Sequence, residues 1–276
     1  MDVSQAIRSA VNRLAATNDT ARLDAELLMA HALGMGRSHM LVHAMRDPAP
    51  PAFAGLVERR LAHEPVAHIV GRQEFYGLDL EVTSDTLIPR GDSETLVQAA
   101  REAFADRNPP CRILDLGTGT GALLLAALDL WKTATGFGLD ASEGAVAVAR
   151  RNAARLGFTD RAMIDVSDWT LTGWSTGLGT FDLVLCNPPY VETDAPLDPD
   201  VAQYEPHSAL FAGADGLDDY RALAPRIREL IEPRGTAIFE IGHTQAQVVS
   251  TLFAKHGFAV TLRRDLAGRP RALVLA

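Results

Sequence analysis

The hydrophobic pattern changes twice along the chain. Residues 3–67 carry apolar side chains at helical spacing with no strand-like alternation, which predicts a small helical bundle. Residues 73–82 alternate on either side of Gly77, which predicts a β-hairpin with its turn at that glycine. From Cys111 onward short apolar runs alternate with helical segments, so we expect an α/β domain with a doubly wound, Rossmann-like parallel sheet.

These changes predict three parts: a helical domain at 1–72, a β-hairpin linker at 73–85 and a sheet domain at 86–276. In the first part, Asp19 or Asn18 is expected to cap a helix that Gly34 ends. Further helices are expected over 38–44, 52–62, 92–104, 122–131, 143–156, 216–231 and 244–256. Strands are expected over 112–116, 135–140, 161–166, 181–186, 235–241, 259–262 and 272–275.

The most informative stretch follows the strand expected at 181–186. It reads Asn187-Pro188-Pro189-Tyr190, and we call these four residues the hook. Two prolines fix their own φ angles, and Pro188 disfavours a helical conformation at Asn187. The hook should therefore hold the Asn187 amide and the Tyr190 ring at the carboxyl edge of the sheet, where such folds bind ligands. The alternative is a turn that only terminates the strand.

A glycine-rich turn follows the strand expected at 112–116 and precedes a helix. Glycines allow a tight turn, and the helix that follows presents free N–H groups to a ligand. Asp140 lies about 20 residues further on, as the ribose-binding acid does in dinucleotide folds, although it is also placed to be a helix N-cap. Asp115 favours a cationic ligand such as S-adenosylmethionine over a pyrophosphate. The turn reads Asp115-Leu116-Gly117-Thr118-Gly119-Thr120-Gly121.

Trp169 follows the third strand of the sheet domain, where an aromatic ring can stack on adenine. An ordinary core position explains the same residue equally well.

Composition narrows the classes of partner. The net charge of −9 argues against an extended surface that follows nucleic-acid phosphates. No apolar run has the roughly 18 residues that a membrane span needs, and Met1-Asp2-Val3-Ser4 does not resemble a signal peptide, so we expect a cytoplasmic protein. The eight histidines show no spacing typical of a metal site, so no metal is expected.

Taken in order, these motifs resemble class I S-adenosylmethionine-dependent methyltransferases, and most closely the release-factor glutamine methyltransferases of the HemK/PrmC family. The resemblance covers nearly the whole chain. It also rests on Gln73-Glu74-Phe75-Tyr76-Gly77, Thr86-Leu87-Ile88-Pro89-Arg90, Glu205-Pro206, Asp215-Gly216-Leu217, Glu240-Ile241-Gly242 and Asp265-Leu266-Ala267-Gly268. One departure is Gly91, where the family usually carries proline.

The resemblance implies transfer of a methyl group from S-adenosylmethionine to the glutamine side chain in the Gly-Gly-Gln motif of class-I peptide chain release factors. It places the methionine part of the cofactor on residues 117–121, its ribose at Asp140 and its adenine beside Trp169. The hook, including Pro188 and Pro189, would hold the glutamine. A monomer with no direct contact to nucleic acid or membrane is expected.

Other functions fit parts of the sequence. One is an N-methyltransferase that acts on a ribosomal-protein glutamine or on a nucleic-acid base, although the acidic charge weighs against the base. An NAD-dependent oxidoreductase would use the glycines and Asp140 but leaves Asp115 and the hook unexplained. A binding protein without catalytic activity is the remaining alternative.

Overall fold

The computed structural model describes residues 1–276, which form two compact units. The first unit comprises Met1–Arg72 together with Leu197–Glu205. The second comprises Gln73–Pro196 together with Pro206–Ala276. A short segment from the middle of the chain thus belongs to the N-terminal unit.

The helices are α1 (Val3–Leu14), α2 (Ala21–Leu33), α3 (Arg37–His43), α4 (Ala52–Leu61), α5 (Val66–Val70), α6 (Glu94–Ala103), α7 (Ala122–Leu130), α8 (Glu143–Arg155), α9 (Pro199–Tyr204), α10 (Asp218–Leu230) and α11 (Ala246–Lys255). The strands are β1 (Arg72–Phe75), β2 (Leu78–Glu81), β3 (Arg112–Leu116), β4 (Thr135–Asp140), β5 (Ala162–Val166), β6 (Phe181–Cys186), β7 (Ile231–Glu240), β8 (Val260–Arg264) and β9 (Pro270–Leu275). Short 3₁₀ turns occupy Gly91–Ser93 and His207–Ala209.

The first unit packs α1 to α5 around their apolar faces. Asp2 and Gln5 form a reciprocal capping box that starts α1. Helix α2 ends at Gly34 with a left-handed φ of 65°, as expected for a glycine C-cap. The cap predicted at Asp19 or Asn18 is wrong: Thr20 is the N-cap residue, and its side chain makes no capping hydrogen bond.

Arg60 of α4 is a buried cation of the first unit. Its Nε atom lies 2.7 Å from Asp24 Oδ2 in α2, and its Nη1 atom lies 2.7 Å from Asp200 Oδ2 in α9. The hydroxyl of Tyr204 also donates to the main-chain oxygen of Ala62 at 2.8 Å. Polar contacts therefore hold α9 against the N-terminal helices. The sequence did not predict α9, because none of its residues is buried and it has no apolar face.

The second unit begins with the predicted hairpin of β1 and β2. Tyr76 and Gly77 form its turn with φ angles of 50° and 81°. Positive φ at both positions is typical of the type I′ turns that match the twist of two-residue hairpins.

The main sheet has seven strands in the order β5-β4-β3-β6-β7-β9-β8. β5, β4, β3, β6 and β7 are parallel to their neighbours, whereas β9 runs antiparallel to both β7 and β8. The wholly parallel sheet predicted from the alternation is therefore wrong at this edge. Residues 265–269, which join β8 to β9, are too few for the crossover that a parallel pair requires.

Separate hydrophobic clusters cover the two faces of the sheet. One includes α6 and α7, and the other includes α10 and α11. Strands β3 and β6 are almost entirely buried between them, as their apolar runs predict. Their carboxyl ends lead into the glycine-rich turn and the hook, respectively.

No helix of the structure is long and apolar enough to cross a membrane.

Replacement of Arg60 should destabilise the first unit. Arg60→Met leaves the buried Asp24 carboxylate without its partner, so we expect α2 and α4 to lose about 3 kcal/mol of opening free energy in hydrogen exchange. The matched control is Arg59→Met, which removes a half-exposed ion pair with Glu64 and should cost under about 1 kcal/mol. Equal losses in the two variants would contradict a special role for Arg60.

Candidate active site

A cleft of about 320 Å³ lies in the second unit at the carboxyl edge of the sheet. This volume is within the range of small-molecule sites. Among the residues predicted from the sequence, the turn residues Gly117, Thr118, Gly119 and Thr120 line it together with Asp140, Trp169, Asn187 and Pro189. The structure thus brings together groups from the ends of β3, β4, β5 and β6.

The glycine-rich turn has the backbone geometry that only glycine adopts readily. Gly117, Gly119 and Gly121 have φ angles of 70°, 55° and 85°. A Cβ atom added at Gly117 would stand 3.1 Å from the ring of Trp169, so a side chain there would narrow the cleft. Gly121 does not line the cleft. A Cβ added to it would meet Leu125 at 3.2 Å, so its small size serves helix packing.

Asp140 is oriented by the backbone around it. Its two carboxylate oxygens accept hydrogen bonds from the Gly119 N–H at 2.8 Å and the Ser142 N–H at 2.9 Å. Burial raises the pKa of this carboxyl, while these N–H groups lower it. The N-cap of α8 is Ser142 rather than Asp140. Asp140 therefore does not cap α8, and its carboxylate faces the cleft in a fixed orientation.

Asp115 lies beneath the cleft rather than on its surface. Its side chain is buried, and one oxygen accepts from the Thr118 hydroxyl at 2.6 Å while the other has no hydrogen-bond partner. Burial raises the pKa of Asp115 to about 7. The carboxyl therefore fixes the turn directly, and any effect on a bound cation acts through its field rather than through contact.

The position of Trp169 is compatible with both a core role and contact with a bound cofactor. Its ring packs against the core cluster on the α10 side of the sheet and also lines the cleft beside Gly117. Its indole N–H donates to Asp219 at 2.7 Å, which fixes the ring plane. Asp219 also lines the cleft, and no motif in the sequence singles it out.

The hook is held on both sides. The N–H groups of Tyr190 and Val191 donate to the Leu210 carbonyl at 3.2 and 2.8 Å, and the Gln245 amide donates to the Tyr190 carbonyl at 3.1 Å. Pro188 is buried and does not line the cleft. The backbone of the hook is therefore held in place, and its residues Asn187 and Pro189 line the cleft, whereas Tyr190 does not.

Polar side chains lie behind the hook. The Asn187 amide nitrogen donates to the Ser93 hydroxyl at 3.4 Å, and the Tyr190 hydroxyl donates to Glu240 Oε1 at 3.3 Å. Arg271 Nη1 lies 3.9 Å from the same Glu240 oxygen. Sequence reasoning assigned no role to Ser93, Glu240 or Arg271. A carboxylate at the end of the apolar run of β7 was the signal that could have selected Glu240.

The cleft fits an adenosyl cofactor. It offers an oriented carboxylate for ribose hydroxyls, an indole face for adenine and a backbone that a side chain at Gly117 would obstruct. No group of three or more His, Cys, Asp or Glu side chains is arranged to hold a metal ion.

Burial of Asp115 should make stability depend on pH. Between pH 4 and 7 the folded protein retains a proton that the unfolded chain has released, so this group stabilises the fold at low pH and the effect is lost as pH rises. Relative to Asp115→Asn, wild type should lose about 3 kcal/mol of unfolding free energy between pH 5 and 8.

The measurement is urea unfolding followed by tryptophan fluorescence. All three tryptophans, Trp131, Trp169 and Trp174, lie in the second unit, so the signal reports on that unit. A difference between the two proteins that stays constant with pH would contradict the raised pKa of Asp115.

Comparisons with known proteins agree over both units. The family model described as the PrmC N-terminal domain matches residues 5–71, and a methyltransferase domain model matches residues 107–255. The catalytic domain of hMettl16, solved in complex with a MAT2A 3′UTR hairpin, has 14% identity and a TM-score of 0.59, and the match covers 82% of this chain and 91% of that chain. At this identity the likeness shows the fold alone.

Curated relatives are more informative. The release factor glutamine methyltransferase of Rhodospirillum rubrum is 41% identical over 259 residues, which cover 92% of this chain and 78% of the relative. The enzyme of the same name from Cereibacter sphaeroides is 41% identical over 280 residues, which cover 98% of this chain and 97% of the relative. These matches favour methyl transfer over the oxidoreductase and binding-protein alternatives. The chain belongs to the release factor glutamine methyltransferase family.

Proposed function

We propose that this protein transfers a methyl group from S-adenosylmethionine to the side-chain amide nitrogen of the glutamine in the Gly-Gly-Gln motif of class-I release factors. The observation that carries the proposal is the Asn187 amide, held at the cleft wall beside the glycine-rich turn. The curated relatives, whose name states a release factor glutamine as the methylated group, support it. Because release factors act on ribosomes, the expected compartment is the cytoplasm.

The predicted cofactor residues have the chemistry to hold S-adenosylmethionine. Residues 117–120 would contact its methionine part, Asp140 its ribose hydroxyls and Trp169 its adenine, whereas Gly121 lies outside the cleft. When bound, the cofactor supplies an electrophilic methyl group on a positively charged sulfur. The buried carboxyl of Asp115, whose pKa is about 7, lies below the turn, and a bound cation would favour its charged form.

The hook addresses the difficulty of the reaction, which is that an amide nitrogen is a poor nucleophile. Its lone pair is delocalised into the carbonyl, so the site must orient the amide. The Asn187 Oδ1 atom and a main-chain carbonyl near Pro188 would each accept one N–H of the target glutamine and direct its lone pair toward the methyl group. Tyr190 and Pro189 would pack against the flat amide. No strong base is needed in advance, because the nitrogen becomes acidic once it is methylated.

Substrate recognition is assigned to the helical part of the chain. Residues 1–72 form helices around their own core, and we assign them the docking of the release factor. Residues from 86 onward carry the transfer site, and 73–85 carry the hairpin that joins the two. The net charge of −9 favours a protein substrate over a nucleic-acid base.

Removal of the Asn187 side chain should abolish most of the activity. Asn187→Ala loses the oxygen that would accept from the target amide, so we expect the methylation rate to fall at least about 100-fold. Radiolabelled methyl transfer to a purified release factor measures this rate. The matched control is Asn108→Ala, at an exposed position of the same unit, which should retain the wild-type rate. A normal rate in Asn187→Ala would reduce the hook to a strand-ending turn.

Recognition by residues 1–72 can be separated from chemistry by the choice of substrate. A protein that begins at Gln73 should methylate an intact release factor with kcat/KM lowered at least about tenfold, equivalent to about 1.4 kcal/mol of lost docking energy. A short Gly-Gly-Gln peptide, which has no surface for docking, should be methylated equally by the full-length and shortened proteins. Equal efficiency on the intact release factor would remove the recognition role.

A further inference from the structure

A buried carboxylate, that of Glu240, lies behind the hook. Glu240, the last residue of β7, is 1% exposed, and its Oε1 atom accepts from the Tyr190 hydroxyl. Ser93, which is 4% exposed, faces the same carboxyl and lowers its pKa through its hydroxyl. Since Ser93 accepts from the Asn187 amide nitrogen, both ends of the hook lead to Glu240.

The direction of these hydrogen bonds matters. A hydroxyl that accepts from Asn187 still has its own proton to donate, and a carboxylate is the group that can only accept. Asn187 donates to Ser93, and the Ser93 hydroxyl faces the Glu240 carboxyl, so this arrangement favours one polarity from Asn187 toward Glu240. With this polarity, the nitrogen of the Asn187 amide points toward Ser93 and its oxygen faces the cleft.

Charge balance with Arg271 does not explain why the Glu240 carboxyl is buried here. Arg271 Nη2 lies 2.8 Å from Asp92 Oδ2 and 3.7 Å from Asp265 Oδ2, whereas its nearest approach to Glu240 is 3.9 Å. The guanidinium thus has a closer carboxylate than Glu240. The second oxygen of Glu240 is buried and has no hydrogen-bond partner, so the Ser93 hydroxyl faces the carboxyl without bonding to that oxygen. Because burying the Glu240 carboxyl costs free energy, we expect it to have a function other than charge balance.

We infer that Glu240, acting through Ser93 and Tyr190, is a positioning residue for methyl transfer that fixes which atom of the Asn187 amide faces the substrate. This inference rests on the proposed function and assigns residues to it outside the cofactor turn and the hook. Glu240 and Ser93 reach the reacting atoms only through the hook.

Substitution by glutamine tests the polarity directly. Glu240→Gln keeps the shape of the side chain but introduces an N–H₂ group beside the hydroxyls of Tyr190 and Ser93. That group can donate to Ser93, whereas a carboxylate can only accept. We expect kcat for a purified release factor to fall at least about tenfold, with KM for the release factor and the affinity for S-adenosylhomocysteine within about twofold of wild type. The matched control is Glu232→Gln in the same strand, which should retain the wild-type kcat.

Ser93 supplies a second test that does not place a new group beside a buried charge. Ser93→Ala removes both the acceptor for Asn187 and the hydroxyl that faces Glu240, and it should lower kcat about as much as Glu240→Gln. Ser93→Thr keeps the hydroxyl and should restore most of the rate. A purely structural role would lower thermal stability without this dependence on the hydroxyl.

The pH profile adds a readout that packing alone would not move. Burial raises the pKa of Glu240 to about 7, so the carboxylate is lost as pH falls below that value and kcat of wild type should decline. Glu240→Gln should lose this decline, whereas Asp115→Asn should retain it. The titratable or charged groups facing Glu240 or its partners are Arg90, Asp92, Cys186, Tyr190, Tyr220, Asp265 and Arg271.

The outcomes separate the two levels of the proposal. Absence of methyl transfer by wild type would overturn the proposed function and this inference with it. An active wild type with unchanged kcat in folded Glu240→Gln and Ser93→Ala would overturn the inference alone. Loss of cofactor affinity in both variants, with no separate effect on kcat, would also contradict a positioning role.

Discussion

The constraint on which the site depends is the pair of prolines that follows β6. Neither proline has an N–H, and Pro188 keeps Asn187 out of the helical region, so the chain leaves the buried strand along a stiff path. The Leu210 carbonyl and the Gln245 amide then fix the backbone at Tyr190 and Val191. An amide that must orient another amide needs this rigidity, because a small error in its direction loses the alignment on which the reaction depends.

Around this constraint the protein buries several ionisable groups whose roles differ. Asp115 supports the glycine-rich turn from below, and Asp140 presents a carboxylate held by two backbone N–H groups. Glu240 supports the hook. Burial raises the pKa of all three carboxyls. The free energy lost by burying them is offset in part by the hydrogen bonds that each carboxyl accepts from the protein.

Much of the sheet and cleft could be predicted because the responsible signals are local. Buried parallel strands read as continuous apolar runs, and the glycines and prolines mark the loops that follow them. Ser93 and Glu240 were missed because they meet the hook only in three dimensions, from segments about a hundred and about fifty residues away in sequence. Helix α9 was not predicted because it has no apolar face and is held by a contact with Arg60, which is distant in sequence. An apolar run also gives no information on whether a strand such as β9 is parallel or antiparallel to its neighbours.

The central claim is that the Asn187 amide directs a methyl group onto one glutamine nitrogen. Its most direct test is tandem mass spectrometry of a purified class-I release factor after incubation with S-adenosylmethionine and either the wild-type protein or Asn187→Ala. The account predicts one added methyl group on the glutamine side chain of the Gly-Gly-Gln motif with wild type and almost none with the variant. A methyl group at another residue, or equal modification by both proteins, would contradict it.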